Sequence, residues 1–284
     1  MHRVICALLA ASASCATAQE AVFLTPAEGS VALGEVVEFS AAAGEERLAW
    51  PTERVEHFFA RTAWTQENRD TLAAGKTDRA DKTPAPLGRD SGTTIAAWPA
   101  ELPGVLMLGC DFAPRFERVS AESFRAFVDR VLPVSRRTAL GSIPSEGEVT
   151  LRRVESAKAL VEVEAAGERP VSIATSKTGQ VVEIRLLMDP MHAEVGSDIA
   201  VRVYSEIPGP KEGVVIATNT TTGEVMRVLT NDSATANITV SAAGRWRVEF
   251  HAVVLEESGD ADWAVHTATV TFDVAGASDG EVTK

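Results

Sequence analysis

Beyond the first eighteen residues the chain carries four histidines, His57, His192, His251 and His266, and these are its natural candidates for metal or acid–base chemistry. The run Met188-Asp189-Pro190-Met191-His192 puts two thioethers and an imidazole within five residues, donors that suit soft Cu(I). The competing reading is that Met188 ends a strand, Met191 fills a seam between domains and His192 is solvated. His251 and His266 fall on the two arms of a C-terminal hairpin. Counted in twos, His251 shares phase with Arg247 and Glu249, and His266 with Val270 and Phe272, so ideal strands direct them to opposite faces. A β-bulge would be needed to bring them together. Asp260 and Asp262, in the hairpin loop beside Trp263, offer oxygen donors, though such residues are more often turn formers. The candidate metal ligands are therefore Met188, Met191, His192, His251 and His266, and the candidate cofactor is a divalent transition metal.

Catalytic patterns do not assemble. Gly75-Lys76-Thr77 echoes a phosphate-binding loop, but Asp70 stands where the first glycine is required. Lys177-Thr178-Gly179 echoes a motif of penicillin-binding enzymes, yet no Ser-x-x-Lys occurs to provide the nucleophile. Gly276-Ala277-Ser278-Asp279-Gly280 spells Gly-x-Ser-x-Gly, but it falls in the polar C-terminal end and not at a strand-to-helix elbow, and the sequence holds no His-Glu-x-x-His. It is read as a non-enzyme, with no catalytic residue assigned. Trp50 and Trp64 flank expected loops and could stack on sugars, whereas Trp98 closes an apolar strand and is expected in the core.

The elements that must position these residues are mostly short strands. Ala21–Leu24, Glu35–Ser40, Glu53–Ala60, Thr93–Trp98, Gly104–Leu108, Val149–Glu164 and Val181–Leu187 alternate or run apolar between turn residues. Residues 68–92 are polar and rich in Asp, Lys, Thr, Gly and Pro, as in a long surface loop. One helix is expected over residues 120–132. Ser120 is its N-cap, Phe124, Phe127, Val128, Val131 and Leu132 form one apolar stripe, and Pro133 ends it. After residue 195 six β runs recur between Pro-Gly-Pro, Thr-Thr-Gly, Asn-Asp-Ser and similar turns, a spacing that predicts an antiparallel Ig-like sandwich. Within it Trp246, Val248 and Phe250 alternate with Arg245, Arg247 and Glu249, which predicts one buried and one wet face. The expected organisation is a mainly β protein: residues 19–187 as a β-rich domain with the single helix, 188–275 as the sandwich, and 276–284 as a frayed tail.

Export is written into the start. His2 and Arg3 precede an apolar run from Val4 to Ala11, and Ala16-Thr17-Ala18 offers a cleavage site before Gln19, so residues 1–18 read as a signal peptide. A lipid anchor at Cys15 is not expected, because Ser12 stands where a lipoprotein signal prefers Leu. Cleavage would leave Cys110 alone, without an internal disulfide and best read as a small buried hydrophobe. No later stretch reaches the roughly 20 apolar residues of a transmembrane helix. A net charge of −13 repels phosphate backbones and argues against nucleic acid as partner.

Several segments in order resemble a bacterial periplasmic family of unknown function, once labelled the periplasmic component of a nickel/cobalt transporter. Ala21-Val22-Phe23-Leu24-Thr25-Pro26 with Leu33-Gly34-Glu35 is similar to its opening strand and turn. Ser120–Leu132 is similar to its helix, and Ala157-Lys158-Ala159-Leu160 within 153–161 to a Lys-Ala-Leu strand. Gly244-Arg245-Trp246-Arg247-Val248, His251, Ala261-Asp262-Trp263 and Thr269-Val270-Thr271-Phe272 match best. Family members often begin the mature chain with His; Gln19-Glu20 stands here instead. The resemblance implies two β domains in the periplasm and a link to nickel- or cobalt-type metal handling. The expected function is thus a non-catalytic periplasmic binding or accessory protein, with an envelope transporter or receptor as partner; the alternative is a structural or protein-interaction module of the cell envelope.

Overall fold

A computed structural model of the chain describes residues 21–43, 46–47, 55–62, 85–86, 94–164, 172–207 and 212–276. Residues 1–18, read above as a signal peptide, with Cys15, and Trp50, Trp64, Gly75-Lys76-Thr77, residues 68–92 other than 85–86, and residues 277–284 lie outside the described residues. The fold is mainly β, with two short α-helices, and no described helix is long and apolar enough to cross a membrane.

The central layer is an eight-stranded sheet. Its order is β13 (Val225–Leu229), β12 (Val214–Asn219), β15 (Gly244–Leu255), β16 (Trp263–Val274), β9 (Glu148–Glu164), β8 (Gly104–Ser120) and β5 (Val55–Arg61), with β2 (Ser30–Ala32) added beside β9. A three-stranded sheet of β10 (Val182–Leu186), β11 (Asp198–Ser205) and β14 (Thr235–Thr239) covers one face. The other face is covered at one end by a five-stranded sheet: β1 (Val22–Pro26), β3 (Val36–Ala43), β7 (Thr94–Pro99) and β6 (Ala85–Pro86) in order, with β4 (Glu46–Arg47) beside β3. Helix α1 (Ala121–Val131) covers its other end, followed by the single turn α2 (Val134–Arg137).

This arrangement follows from strands that are apolar on both faces. In β15, Trp246, Val248 and Phe250 enter the core shared with Ile184, Ile199, Val201 and Ile238 of the three-stranded sheet. Val253 points the other way, into the core under α1 with Trp263 and Val265 of β16 and Leu151 of β9. Further along that same face Ala157, Ala159 and Val161 meet Leu24 and Phe39 of the five-stranded sheet. The face carrying Glu249 and His251, expected to be wet, is therefore covered: Glu249 is 8% and His251 1% exposed. The correction has a simple cause, since alternation shows that two faces differ in polarity and not that the polar one meets water.

Two further expectations change. The sheet is mixed, because β16 runs parallel to β9 over nine register pairs, from Trp263 opposite Leu151 to Thr271 opposite Ala159. The division at residue 188 is also no break in the sheets: β10 precedes it yet pairs with β11, and β9 precedes it yet pairs with β16.

Helix α1 forms where its sequence pattern places it. The Ser120 side chain accepts a hydrogen bond from the Ser123 backbone N–H at 3.1 Å, filling an otherwise orphaned donor. At the far end Arg137 donates to the carbonyls of Leu132 (3.1 Å) and Asp129 (2.8 Å). Phe124, Phe127, Val128 and Val131 are buried against the sheet. Because packing of that stripe and not helix propensity holds an 11-residue helix, Phe127→Ala should cost about 3–5 kcal/mol. Urea unfolding monitored by circular dichroism checks this; a midpoint unchanged from wild type would mean that α1 is not docked as described.

Candidate functional site

Between the two cores on the helix-bearing face lies a belt of buried polar side chains. It begins on β8 and β9, where Arg153 pairs with Glu117, and Arg115 reaches Glu155 (3.3 Å) and Glu117 (3.0 Å). It continues on β16 and β15. Thr267 sits opposite Glu155 on one side and opposite His251 on the other, and its hydroxyl lies 3.0 Å from Nδ1 of His251. Nε2 of the same ring faces Glu249 Oε2 at 3.4 Å, an ion-pair separation, and Arg130 of α1 approaches that carboxylate at 3.8 Å. Burial pushes the Glu249 carboxyl up, but the imidazole beside it and the Arg130 guanidinium outweigh this and hold it below its ordinary value. Phe127 caps the belt, edge-on to His251 at 5.2 Å and with the guanidiniums of Arg153 and Arg130 within 5.3 and 5.8 Å of its ring centre.

A hydroxyl–imidazole–carboxylate series is the arrangement that activates nucleophiles. Here it cannot reach a substrate, because Thr267 is only 2% exposed beneath α1. Its role in this fold is to satisfy buried groups. A second polar cluster has the wrong connectivity: Ser156 donates to Asp111 at 2.7 Å and His57 lies 3.7 Å from the same residue, so the carboxylate and not the imidazole receives the hydroxyl proton.

The candidate metal ligands are distributed, not gathered. The hairpin register runs without interruption from Gly244–Val274 to Leu255–Trp263, so no bulge reconciles His251, opposite Thr267, with His266, opposite Ala252. They stay on opposite faces, as counting in twos along ideal strands places them. Met191 is buried in the main core, Met188 packs half-buried against it, and His192 is exposed. Asp189 caps the short turn by accepting from the Met191 N–H at 3.0 Å, and Asp262 accepts from the Thr150 N–H at 2.7 Å. Among the described residues no three His, Cys, Asp or Glu side chains converge as a metal site. Cys110 is buried, with its thiol pushed up by burial and by Asp111.

Sequence reasoning passed over a buried ion pair. Lys158 of β9 donates to Glu183 of β10 at 2.9 Å, both under 3% exposed. The Lys177-Thr178-Gly179 loop completes it, the N–H groups of Thr178 (2.7 Å) and Gly179 (3.0 Å) donating to the same carboxylate. Burial pushes Glu183 up, but Lys158 and these two N–H groups win and hold it below its ordinary value. The available signal was a lysine inside the apolar run Ala157–Val161 and a Glu following a turn.

The opening into which polar groups do converge is a cleft of about 240 Å³ at the side of the two packed sheets. One wall is the consecutive run Phe250 to Val254 of β15, the facing wall Arg202 to Ser205 of β11. Consecutive residues on strands alternate faces, so a cleft lined by five in a row is lined by the strand's edge. Pairing accounts for that edge: β12 is in register with β15 only from Trp246 to Phe250, leaving the end of β15 paired on its β16 side alone among the described residues. Leu132 and Arg136 close one end. Ser233 and Ala234 line the cleft too, and Ala234 has a φ of 58°, the one positive value on a non-glycine among the described residues. The strain is held by Asn231, whose side chain accepts from Ser233 (2.9 Å) and Thr235 (3.0 Å).

No protein-family model and no curated protein matches the chain.

His266 gives a pH signature. Burial, then the Arg152 charge, push it down to about 4 despite Glu256, and its Nδ1 is buried without a hydrogen-bond partner. An unfolded chain takes up that proton near pH 6.5. Folding thus favours the neutral ring, so the stability this ring preserves is present above about pH 6.5 and is lost as pH falls toward about 4. His266→Phe should flatten the decline of the urea midpoint across that window; parallel profiles for variant and wild type would refute the assignment.

Proposed function

We propose that the chain is a non-catalytic binding protein of the bacterial cell envelope, exported to the periplasm, and that it takes its ligand in the cleft between β11 and β15. The observation that carries this reading is the cleft itself. A strand edge with unpaired backbone, apolar surface from Phe250 and Val253, and the polar ends of Arg136, Arg202, Tyr204 and Ser205 meet in one concavity, the combination by which small-molecule sites fix and orient a ligand. The basic, apolar and small-residue order of the first eighteen residues supports export, and the resemblance to a periplasmic family supports the same compartment. The transition-metal version of the reading rests on that resemblance.

A second reading, a protein-interaction module, has its own observation. Strand β13 is the outer strand of the eight-stranded sheet and presents Val225 at 56% and Leu229 at 63% exposure, an edge to which a partner strand can add.

Amide hydrogen exchange separates the two. The purified chain is compared in buffer, in the low-molecular-mass fraction of periplasmic extract and in the protein fraction. Slower exchange confined to residues 251–255 and 203–205 in the small-molecule fraction is the expected result. Slowing along 225–229 in the protein fraction would favour the interaction module, and no change at the cleft in any fraction would rule out the cleft as a binding site.

A further inference from the structure

The cleft's charge is at odds with the rest of the molecule. The chain carries a net −13, yet Arg136 and Arg202, both half-buried in the cleft wall, have no carboxylate partner among the described residues. Arg202 contacts the Tyr204 ring, its guanidinium 5.3 Å from the ring centre. Glu212, the one acid lining the cleft, is engaged by Ser135 at 3.2 Å.

The register makes the surplus sharper. Arg202 of β11 lies directly opposite Arg185 of β10, and like charges in that position destabilise a sheet pair. Arg185 donates to the Thr175 carbonyl (2.5 Å) and to the Tyr204 hydroxyl (3.3 Å), neither of them an anion. Lys177 adds a third cation, 5.0 Å from the Tyr204 ring centre. In keeping with this positive field the Tyr204 phenol is held below its ordinary value, by the Arg185 hydrogen bond first and by the charges of Arg202, Arg185 and Lys177. A sheet that sets two arginines face to face, next to a strained Ala234, breaks local rules where sites are most often found.

We infer that the cleft binds a small molecule through an oxyanion, carboxylate or phosphate, held by the guanidiniums of Arg136 and Arg202, with the body of the ligand along the free edge of β15. Guanidinium forks match both oxyanions in two-point hydrogen bonding. A volume of about 240 Å³, at the small end for ligand sites, suits a compact metabolite. The inference rests on the proposed binding role and names its ligand class.

Calorimetric titration of the purified chain at low ionic strength tests it, with succinate in one arm, inorganic phosphate in a second, and uncharged glucose and cationic putrescine as controls. Saturable binding in either anion arm is expected, and the arm that saturates says which oxyanion is read. Arg202→Gln and Arg136→Gln, both on half-buried positions that leave the cores intact, should each weaken it about tenfold or more, while Arg118→Gln, on an exposed position of β8 outside the cleft, should not. Anion binding untouched by both variants would overturn the inference. So would glucose or putrescine slowing exchange at residues 251–255 while neither anion binds, a result that would leave the binding role standing. Cleft exchange insensitive to all four compounds and to periplasmic extract would end both.

Discussion

The parallel ladder between β9 and β16 is the constraint on which the rest of the architecture depends. Strand β16 is paired antiparallel with β15 on one side and parallel with β9 on the other, so residues more than a hundred positions apart in sequence become neighbours in one sheet. Parallel pairing demands cover on both faces, and the chain supplies it from both ends: the three-stranded sheet on one side, α1 and the five-stranded sheet on the other. Without that ladder the central sheet would split between β16 and β9 into two half-sheets. With it, the molecule has three layers and a central sheet that meets solvent mainly at its edges.

Full cover creates the second feature, the polar belt. Two separate lids, α1 and the five-stranded sheet, meet over the central sheet, and the line where they meet is filled by Arg115, Glu117, Arg153, Glu155, Glu249, His251 and Thr267. A buried charge is tolerable only when paired and hydrogen-bonded. Thr269, which donates to the Val22 carbonyl at 2.7 Å, and Arg247, which reaches Thr25 at 3.2 Å, use the same belt to fix β1 on the sheet. Such contacts add less net stability than apolar packing of the same volume, but they favour one register, since slipping β1 by one residue would break both hydrogen bonds to it.

Local elements were legible in the sequence because local physics decides them. The stripe Phe124–Val128–Val131 and the cap at Ser120 place α1, and alternation places β10 to β16, within a residue or two. What the sequence could not show is pairing at a distance. Nothing in Arg153 or Glu155 says that β16 will lie beside them, and nothing in Thr267 says that it will face an imidazole. The same limit explains why Glu249 and His251 looked solvated: their phase was correct, but the helix that covers them is coded more than a hundred residues earlier. The phase rule did serve for His251 and His266, whose opposite faces follow from counting in twos along an unbroken hairpin. The cleft was invisible for a different reason, because it is made by what strands lack. It exists only because β15 is 12 residues long and β12 is six.

That mismatch in length has a cost that the charge of the cleft offsets. An open strand edge is a template for unwanted pairing with another chain, and proteins commonly blunt such edges with charge, irregular backbone or cover. The end of β15 has all three: Arg136 and Arg202 stand beside it, the irregular turn at Ala234 lines the same cleft, and the cleft walls recess it below the surface. Protection alone would be served as well by lysines projecting into water, and would not require arginines opposed across a strand pair with their guanidiniums half-buried. Half-burial deprives these groups of part of their hydration, so the field between them is stronger than it would be on an open surface. A recessed edge blocks long chains by its shape while a compact anion can enter and relieve the repulsion, so the same arrangement that keeps other strands out selects for what is let in.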